Sequence, residues 1–293
     1  MTASESAGVL AVDLGGTRLR VAVFSAAGEM VHRTILPTPR EDASALIEAM
    51  RAARADCGIA IEGAVVGVPG VVSYADGTVL RAPNLPGWEG ALAASRLGEG
   101  LGLPVVLAND ADLAALGEYH FGAGKGAPDM VYVTSSTGVG AGVIINGRLL
   151  RAARSLAEVG HTIIDYHDGA TVESLGSGTA LERIAGDAPA AVEARARAGD
   201  PEAQRLFRAV ADAFATGVFN LAHLFMPTRI VIGGGMSRAG ELLLGPVRER
   251  LGRCSPDCPL LSCEVVVAAN GDDAGLVGAY SFWREGGGRR GAA

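Results

Sequence analysis

Val9-Leu10-Ala11-Val12-Asp13-Leu14-Gly15-Gly16-Thr17-Arg18-Leu19-Arg20-Val21-Ala22-Val23-Phe24 is the stretch that decides the fold. An apolar run ends in an acidic residue, two glycines able to take positive φ follow, and Leu19, Val21 and Val23 then alternate with Arg20, Ala22 and Phe24. This reads as strand, Gly-Gly-Thr turn, strand, which is a hairpin. Such a turn bares backbone N–H groups that, with the Thr17 hydroxyl, can cradle a phosphate. Asp13 beside them can hold a divalent cation directly or through water. An ordinary hairpin with an acidic residue at its mouth fits these residues equally well.

Two familiar phosphate-binding patterns do not apply. A P-loop needs Gly-x-x-x-x-Gly-Lys-Ser/Thr, and Gly124-Lys125 is followed by Gly126. A dinucleotide-binding turn opens a helix, whereas the residues after Gly16 alternate as a strand does.

At 293 residues, 49% hydrophobic and 19% charged, the chain is long enough for two core-bearing lobes. A net charge of −7 without a dense Lys/Arg run argues against nucleic acid and for small-molecule partners. Cys57, Cys254, Cys258 and Cys263 are too few and too uneven for a secreted disulfide framework. The N-terminus lacks a basic leader, and no apolar run approaches ~18 residues, so a cytoplasmic protein with no membrane partner is expected.

Working outward, Met30 to Leu36 reads as a third strand, and a helix with Leu46, Ile47 and Met50 on one face follows. Ala64 to Val68 reads as a strand running into a Gly-Val-Pro-Gly turn. Pro83-Asn84-Leu85-Pro86-Gly87-Trp88 is a loop whose indole either packs on the core or covers a ligand. Pro104 to Ala108 is a strand ending in Asn109-Asp110, where an N-cap is the plain alternative to a binding role. The second half restarts with strand Met130 to Thr134, a turn holding Thr137, Gly138 and Gly140, and strand Val143 to Ile145. Two glycine-rich hairpins, each opening a β-rich half, suggest duplicated lobes. Arg151 to Val172 reads as irregular, Glu173 to Ile184 and Pro201 to Phe225 as helices. Arg229 to Ile232 reads as a strand delivering Gly233-Gly234-Gly235 to a helix start, where backbone can approach a nucleotide. A last strand, Cys263 to Ala268, precedes a C-terminal helix.

Asp13-Leu-Gly-Gly-Thr17, Pro83-Asn-Leu-Pro-Gly-Trp88, Asn109-Asp110, Ser136-Thr-Gly-Val-Gly140, Glu158-Val-Gly-His161 and Gly233-Gly-Gly235 stand in the order and spacing of the ROK family of repressors and sugar kinases, which the chain resembles over most of its length. The resemblance implies an α/β, two-lobed, actin-like (ribonuclease-H-like) ATPase fold with the ligand cleft between lobes. It implies a small N-terminal lobe over 1–110 joined by a C-terminal helix at 273–285 and a large lobe over 111–272, while the Gly/Arg-rich composition of 286–293 reads as a disordered tail. It implies ATP-dependent phosphorylation of a hexose, glucose at its 6-hydroxyl first. Fructose, mannose, N-acetylmannosamine or N-acetylglucosamine are alternatives, as is a sugar- or nucleotide-sensing protein with little turnover. An oxidoreductase, a third reading, would require nicotinamide binding.

Carried over by motif, the resemblance makes Asp110 the general base and Asn84, Asn109, Asp110, Glu158, His161 and Glu173 sugar-binding. It makes Asp13, Gly15, Gly16, Thr17, Thr137, Gly138, Gly234 and Gly235 nucleotide-binding, with Asp13 serving Mg²⁺, and it implies a homodimer. One departure is large. Family members carry a cysteine run that binds zinc with the motif histidine. Here the interval Thr162 to Val172 holds no cysteine and is shorter, so no zinc is expected and Cys254, Cys258 and Cys263 read as ordinary thiols. The repressors' helix-turn-helix domain has no counterpart in the few residues ahead of Asp13.

Overall fold

The computed structural model describes residues 7–40, 42–254 and 258–287. The first hairpin forms as read: β1 (Gly8–Leu14) pairs antiparallel with β2 (Arg18–Phe24), Asp13 opposite Arg20 and Leu14 opposite Leu19. Neither Gly15 nor Gly16 takes positive φ, contrary to the expectation. Gly15 is instead required by crowding, because a Cβ there would lie 2.9 Å from the Arg18 carbonyl oxygen across the turn.

β3 (Met30–Pro37) extends the meander, and α1 (Ala43–Asp56), capped by the Asp42 carboxylate on the Ser44 N–H, buries Leu46 and Met50. β4 (Ile61–Val68) then returns parallel to β1, an arrangement that the α1 crossover permits. A small ribbon of β5 (Val71–Ser73) and β6 (Thr78–Arg81) and the helix α2 (Ala94–Leu101) lead to β7 (Val105–Asn109), parallel to β4, and to α3 (Asp110–Phe121). The sheet order is β3-β2-β1-β4-β7. Trp88 is buried in its core with its indole N–H on the Pro39 carbonyl at 2.9 Å, which decides for packing over ligand cover.

The second half repeats this plan. β8 (Met130–Ser135), β9 (Val139–Ile145) and β10 (Arg148–Leu149) form the meander. A ribbon of β11 (Ile163–Asp165) and β12 (Ala170–Thr171) precedes four helices, α4 (Val172–Gly176), α5 (Gly178–Ala185), α6 (Pro189–Arg197) and α7 (Pro201–Phe225). β13 (Arg229–Gly233), α8 (Glu241–Leu251) and β14 (Glu264–Val267) complete a sheet of order β10-β9-β8-β13-β14. Both sheets therefore have two antiparallel pairings followed by two parallel ones. α7 starts with Asp200 accepting from the Glu202 and Ala203 N–H groups and with Pro201 at a first-turn position that needs no N–H. It buries Phe207, Val210, Phe214, Val218 and Leu221, each contributing roughly 1.5–3 kcal/mol of apolar burial.

The chain divides into two compact units, one of residues 1–120, 151–156 and 273–293, the other of 121–150 and 157–272. The first takes in α9 (Ala274–Arg284), which packs on β1 and against α3. The α3–α9 crossing brings backbones together: a Cβ on Gly278 would lie 1.6 Å from the Leu113 carbonyl oxygen, and one on Gly117 2.3 Å from that of Ala274. That crossing carries the first unit through α3 to His120, past the boundary at 110 expected from sequence. Of the tail 286–293, Gly286 and Gly287 close the end of α9 with N–H bonds to the Trp283 and Phe282 carbonyls. The remainder lies outside the described residues.

Three further expectations are corrected. The helix expected over 173–184 breaks at Ser177, whose hydroxyl caps α5 on the Ala180 N–H. The break is needed because Gly176 abuts the Phe214 backbone and Gly178 the Ser136 carbonyl, so a continuous helix there has no room. The stretch from 151 to 172 is not irregular throughout but contains the β11–β12 ribbon. Gly235 opens a short 3₁₀ turn, Gly235–Ala239, rather than α8 itself.

Candidate functional site

In the first unit, Asp13 ends the apolar part of β1 and its Oδ2 accepts from Arg20 Nη1 at 2.9 Å, across the hairpin from its register partner. The turn that follows is fixed from outside. Thr38 Oγ1 donates to the Gly15 carbonyl at 2.6 Å, and Gly16 faces Asn84, whose Cβ would lie 3.8 Å from an added methyl. Gly275, at the start of α9, also faces Asp13, whose Cγ would be 3.7 Å from a Cβ there. Asp13, Gly15, Gly16, Thr17 and Asn84 thus lie around one turn. The Arg20 contact partly neutralises Asp13, which suits a hydrated cation at Asp13 better than one bound directly to it.

Asn109 and Asp110 sit where β7 hands over to α3. Asn109 is buried and helps shape that junction: its Oδ1 accepts from the Asp112 N–H at 3.0 Å and one Nδ2 hydrogen goes to the Gly70 carbonyl at 2.9 Å, the amide having a second N–H and a second lone pair besides. It is therefore an N-cap, the plain alternative, and a tie to the Gly67–Gly70 turn as well. Asp110 is the first residue of α3, half-buried, with Oδ1 accepting from the Ala111 N–H at 2.9 Å. Its carboxylate stands at the positive end of the helix dipole. Gly67 on β4 lets α3 pack close behind it, since a Cβ there would meet Leu113 at 2.9 Å. Sequence reasoning missed the support behind this junction. Tyr74 donates to the buried Asp112 carboxylate at 2.6 Å, and its hydroxyl also lies 3.4 Å from the Asn109 N–H. Burial first, then the Asp112 charge, pushes the Tyr74 hydroxyl far above its ordinary range.

In the second unit, Thr137 and Gly138 form the β8–β9 turn and Glu173 on α4 reaches it. Glu173 Oε2 accepts from the Val139 N–H at 2.9 Å and fills the place a side chain on Gly138 would occupy, 2.3 Å from its would-be Cβ. Thr179 Oγ1 donates to the Thr137 carbonyl at 2.8 Å and Gly178 N to the Ser136 carbonyl at 2.7 Å. A motif carried over as sugar-binding is thus also the brace of the glycine turn.

Glu158 and His161 lie on a 3₁₀ turn, three residues apart and on one side of it, with Oε2 and Nε2 separated by 4.0 Å. Gly160 lets this turn close on β9, for a Cβ would be 2.2 Å from the Val139 carbonyl oxygen and 3.4 Å from Glu173 Cβ. His161 and Glu173 flank the β11–β12 ribbon, whose registers pair Ile163 with Thr171 and Asp165 with Ala170. At its base Val172 N bonds the Thr162 carbonyl at 3.0 Å, and Thr171 and Ser174 form a reciprocal cap on α4. A backbone ladder therefore spans the interval that has no cysteines.

The three glycines after β13 differ. Gly233 abuts the Tyr132 hydroxyl, and Gly234, at φ 81°, abuts the Ser135 carbonyl. Gly235 has open space where a Cβ would point. Two are held by packing and conformation, while the third is bare backbone. No helix among the described residues is long and apolar enough to cross a membrane.

Residues 9–286 match the model of the ROK family. Among curated relatives, a glucokinase of Halalkalibacterium halodurans is 33% identical over 91% of this chain and 92% of its own. A bifunctional NanE/NanK enzyme of Brucella melitensis is 35% identical over 94% of this chain and 54% of its own. Among solved structures, a ROK family glucokinase from Streptomyces griseus, in complex with glucose and AMPPNP, superposes with a TM-score of 0.80 at 32% identity, covering 95% of this chain and 99% of that one. The fold is the actin-like ATPase fold of these sugar kinases, consistent with the paired sheet orders above.

Proposed function

Because this chain belongs to the ROK family, we propose that it is an ATP-dependent sugar kinase that phosphorylates a hexose, glucose at its 6-hydroxyl. The observation that carries this reading is Asp110, a carboxylate at the first position of α3 on a junction braced by Asn109, Tyr74 and Asp112. Phosphoryl transfer asks a protein chiefly to align an alcohol with the γ-phosphate and to accept its proton, so one well-held carboxylate suffices. Asp110 takes that proton.

Asn84, Asn109, Glu158, His161 and Glu173 serve the sugar, as amides and carboxylates suit hydroxyls that both donate and accept. The N–H groups of Gly16 and Thr17, of Thr137 and Gly138, and of Gly234 and Gly235 serve the phosphates, the Gly15 N–H being held by the Arg18 carbonyl across the turn. Mg²⁺ on the nucleotide would offset the phosphate charge, with Asp13 contacting it through water. The glucokinase relatives and the neighbour with bound glucose and AMPPNP support this reading. A solved neighbour from Listeria monocytogenes described as a candidate N-acetylmannosamine kinase, 25% identical over 95% of this chain, favours a second one, N-acetylmannosamine as the sugar.

Asp110→Asn tests the catalytic assignment. It keeps the shape and removes the proton acceptor, so kcat falls by on the order of 10²–10⁴ while sugar affinity stays within a few-fold. Activity near that of the wild type would remove Asp110 from the role.

A further inference from the structure

Three side chains to which neither sugar nor nucleotide has been assigned converge in the second unit. His223 lies in the last turn of α7, Cys254 just past the end of α8, and Cys258 ahead of the turn Pro259–Ser262 that leads into β14. Their ligand atoms all lie within 4.8 Å of one another, and Cys254 Sγ is 3.8 Å from His223 Nε2. In a tetrahedral zinc site with Zn–S near 2.3 Å and Zn–N near 2.0 Å, donor atoms stand about 3.5–3.8 Å apart. Closure of the cluster on an ion therefore needs only side-chain adjustment.

A second observation concerns the histidine. Its Nδ1 lies 2.9 Å from the Phe219 carbonyl oxygen, which can only accept, so Nδ1 carries a proton and Nε2 is the nitrogen left facing Cys254 to act as a ligand. A carbonyl behind the distal nitrogen is the usual support of a metal-bound histidine, fixing tautomer and ring orientation together. The ring is further held against Phe219, with centroids 4.1 Å apart. The sequence carries a matching signal, since Cys254 and Cys258 have the C-x₃-C spacing found among zinc ligands.

We propose that His223, Cys254 and Cys258 bind a thiophilic divalent cation, zinc, as a structural clamp that joins the end of α7 to the α8–β14 connection. Binding through the imidazole nitrogen and two thiolates releases two thiol protons per Zn²⁺ with no change of oxidation state, and a water completes the tetrahedron. The site is distinct from the zinc-less interval 162–172, and it departs from the reading of these cysteines as ordinary thiols.

The test is cobalt titration of reduced, metal-free full-length protein. The expected result is a thiolate-to-cobalt charge-transfer band with tetrahedral d–d absorption, saturating at one equivalent per chain and erased by zinc, with two protons released per ion. Cys254→Ser and Cys258→Ser should each abolish the band and His223→Ala should weaken binding at least tenfold, while Cys263→Ser should leave it unchanged. Absence of the band in the reduced wild type would overturn the proposal, whether the thiols stay free or mass spectrometry finds them paired as a disulfide. Survival of the band in both serine variants, or its loss in Cys263→Ser, would overturn it equally.

Discussion

Gly138 and Glu173 should be energetically coupled. The Glu173 carboxylate bonds the Val139 N–H at 2.9 Å and occupies the position of a side chain on Gly138. Glu173→Ala removes a hydrogen bond to a charged acceptor, worth about 1.5–3 kcal/mol, and leaves a backbone donor without its partner. At about 2–4 °C per kcal/mol, the melting midpoint of the second unit should fall by about 3–12 °C. Glu173→Gln keeps an acceptor for Val139 and should lose clearly less. Gly138→Ala places a methyl 2.3 Å from Oε2, and since Gly138 has no positive φ, its damage comes from pushing the carboxylate away rather than from backbone strain. In a Glu173→Ala background the same methyl meets nothing and should cost only a few tenths of a kcal/mol. The cycle, measured by denaturant unfolding, should therefore show coupling of about 1–2 kcal/mol. Additive effects would refute the assignment of Glu173 as the brace of this turn.

Gly234→Ala should destabilise the protein, because φ is 81° and a Cβ would meet the Ser135 carbonyl at 2.3 Å, whereas Gly235→Ala should leave the midpoint unchanged and raise KM for ATP. An unchanged KM in the Gly235 variant would remove that glycine from the nucleotide site. Tyr74 titrates far above its ordinary 10.0 in the folded protein, chiefly through burial. Below pH 10 it is protonated folded or unfolded and adds no pH dependence; above pH 10 the unfolded chain ionises first, so stability falls as pH rises. Urea midpoints in Tyr74→Phe should accordingly fall less steeply above pH 10 than in the wild type, and equal slopes would contradict the placement of this hydroxyl.

Much of the fold was legible because each sheet begins with a hairpin of apolar strands around a glycine turn, and the order of elements around Asp13, Asn109 and Gly233 follows from strand and helix patterning. The failures were local and share a cause: contacts distant in sequence. Glu173 to Ile184 has helical periodicity throughout, and only the approach of the Phe214 and Ser136 backbones breaks it at Ser177. α6 was missed because its Ala/Arg-rich stretch buries just Val192 and Ala196 and so carries little amphipathic pattern. At the candidate site, residue types flagged Asp110 and Asn109, but the Tyr74–Asp112 pair behind them involves positions 38 residues apart. Glu173 as a brace for Val139 spans 34. His223 could not be joined to the cysteines by spacing, since 31 residues separate it from Cys254.

The most direct measurement of the central claim is ADP release by the purified protein with ATP and Mg²⁺ over glucose, mannose, fructose, N-acetylglucosamine and N-acetylmannosamine, with the sugar product identified by NMR. Sustained turnover with glucose, yielding one glucose 6-phosphate per ADP and lowered on the order of 10²–10⁴-fold in Asp110→Asn, is the predicted result. Binding of sugar and nucleotide with no sugar-dependent ADP release from any member of the panel would contradict it and identify a sensing protein instead.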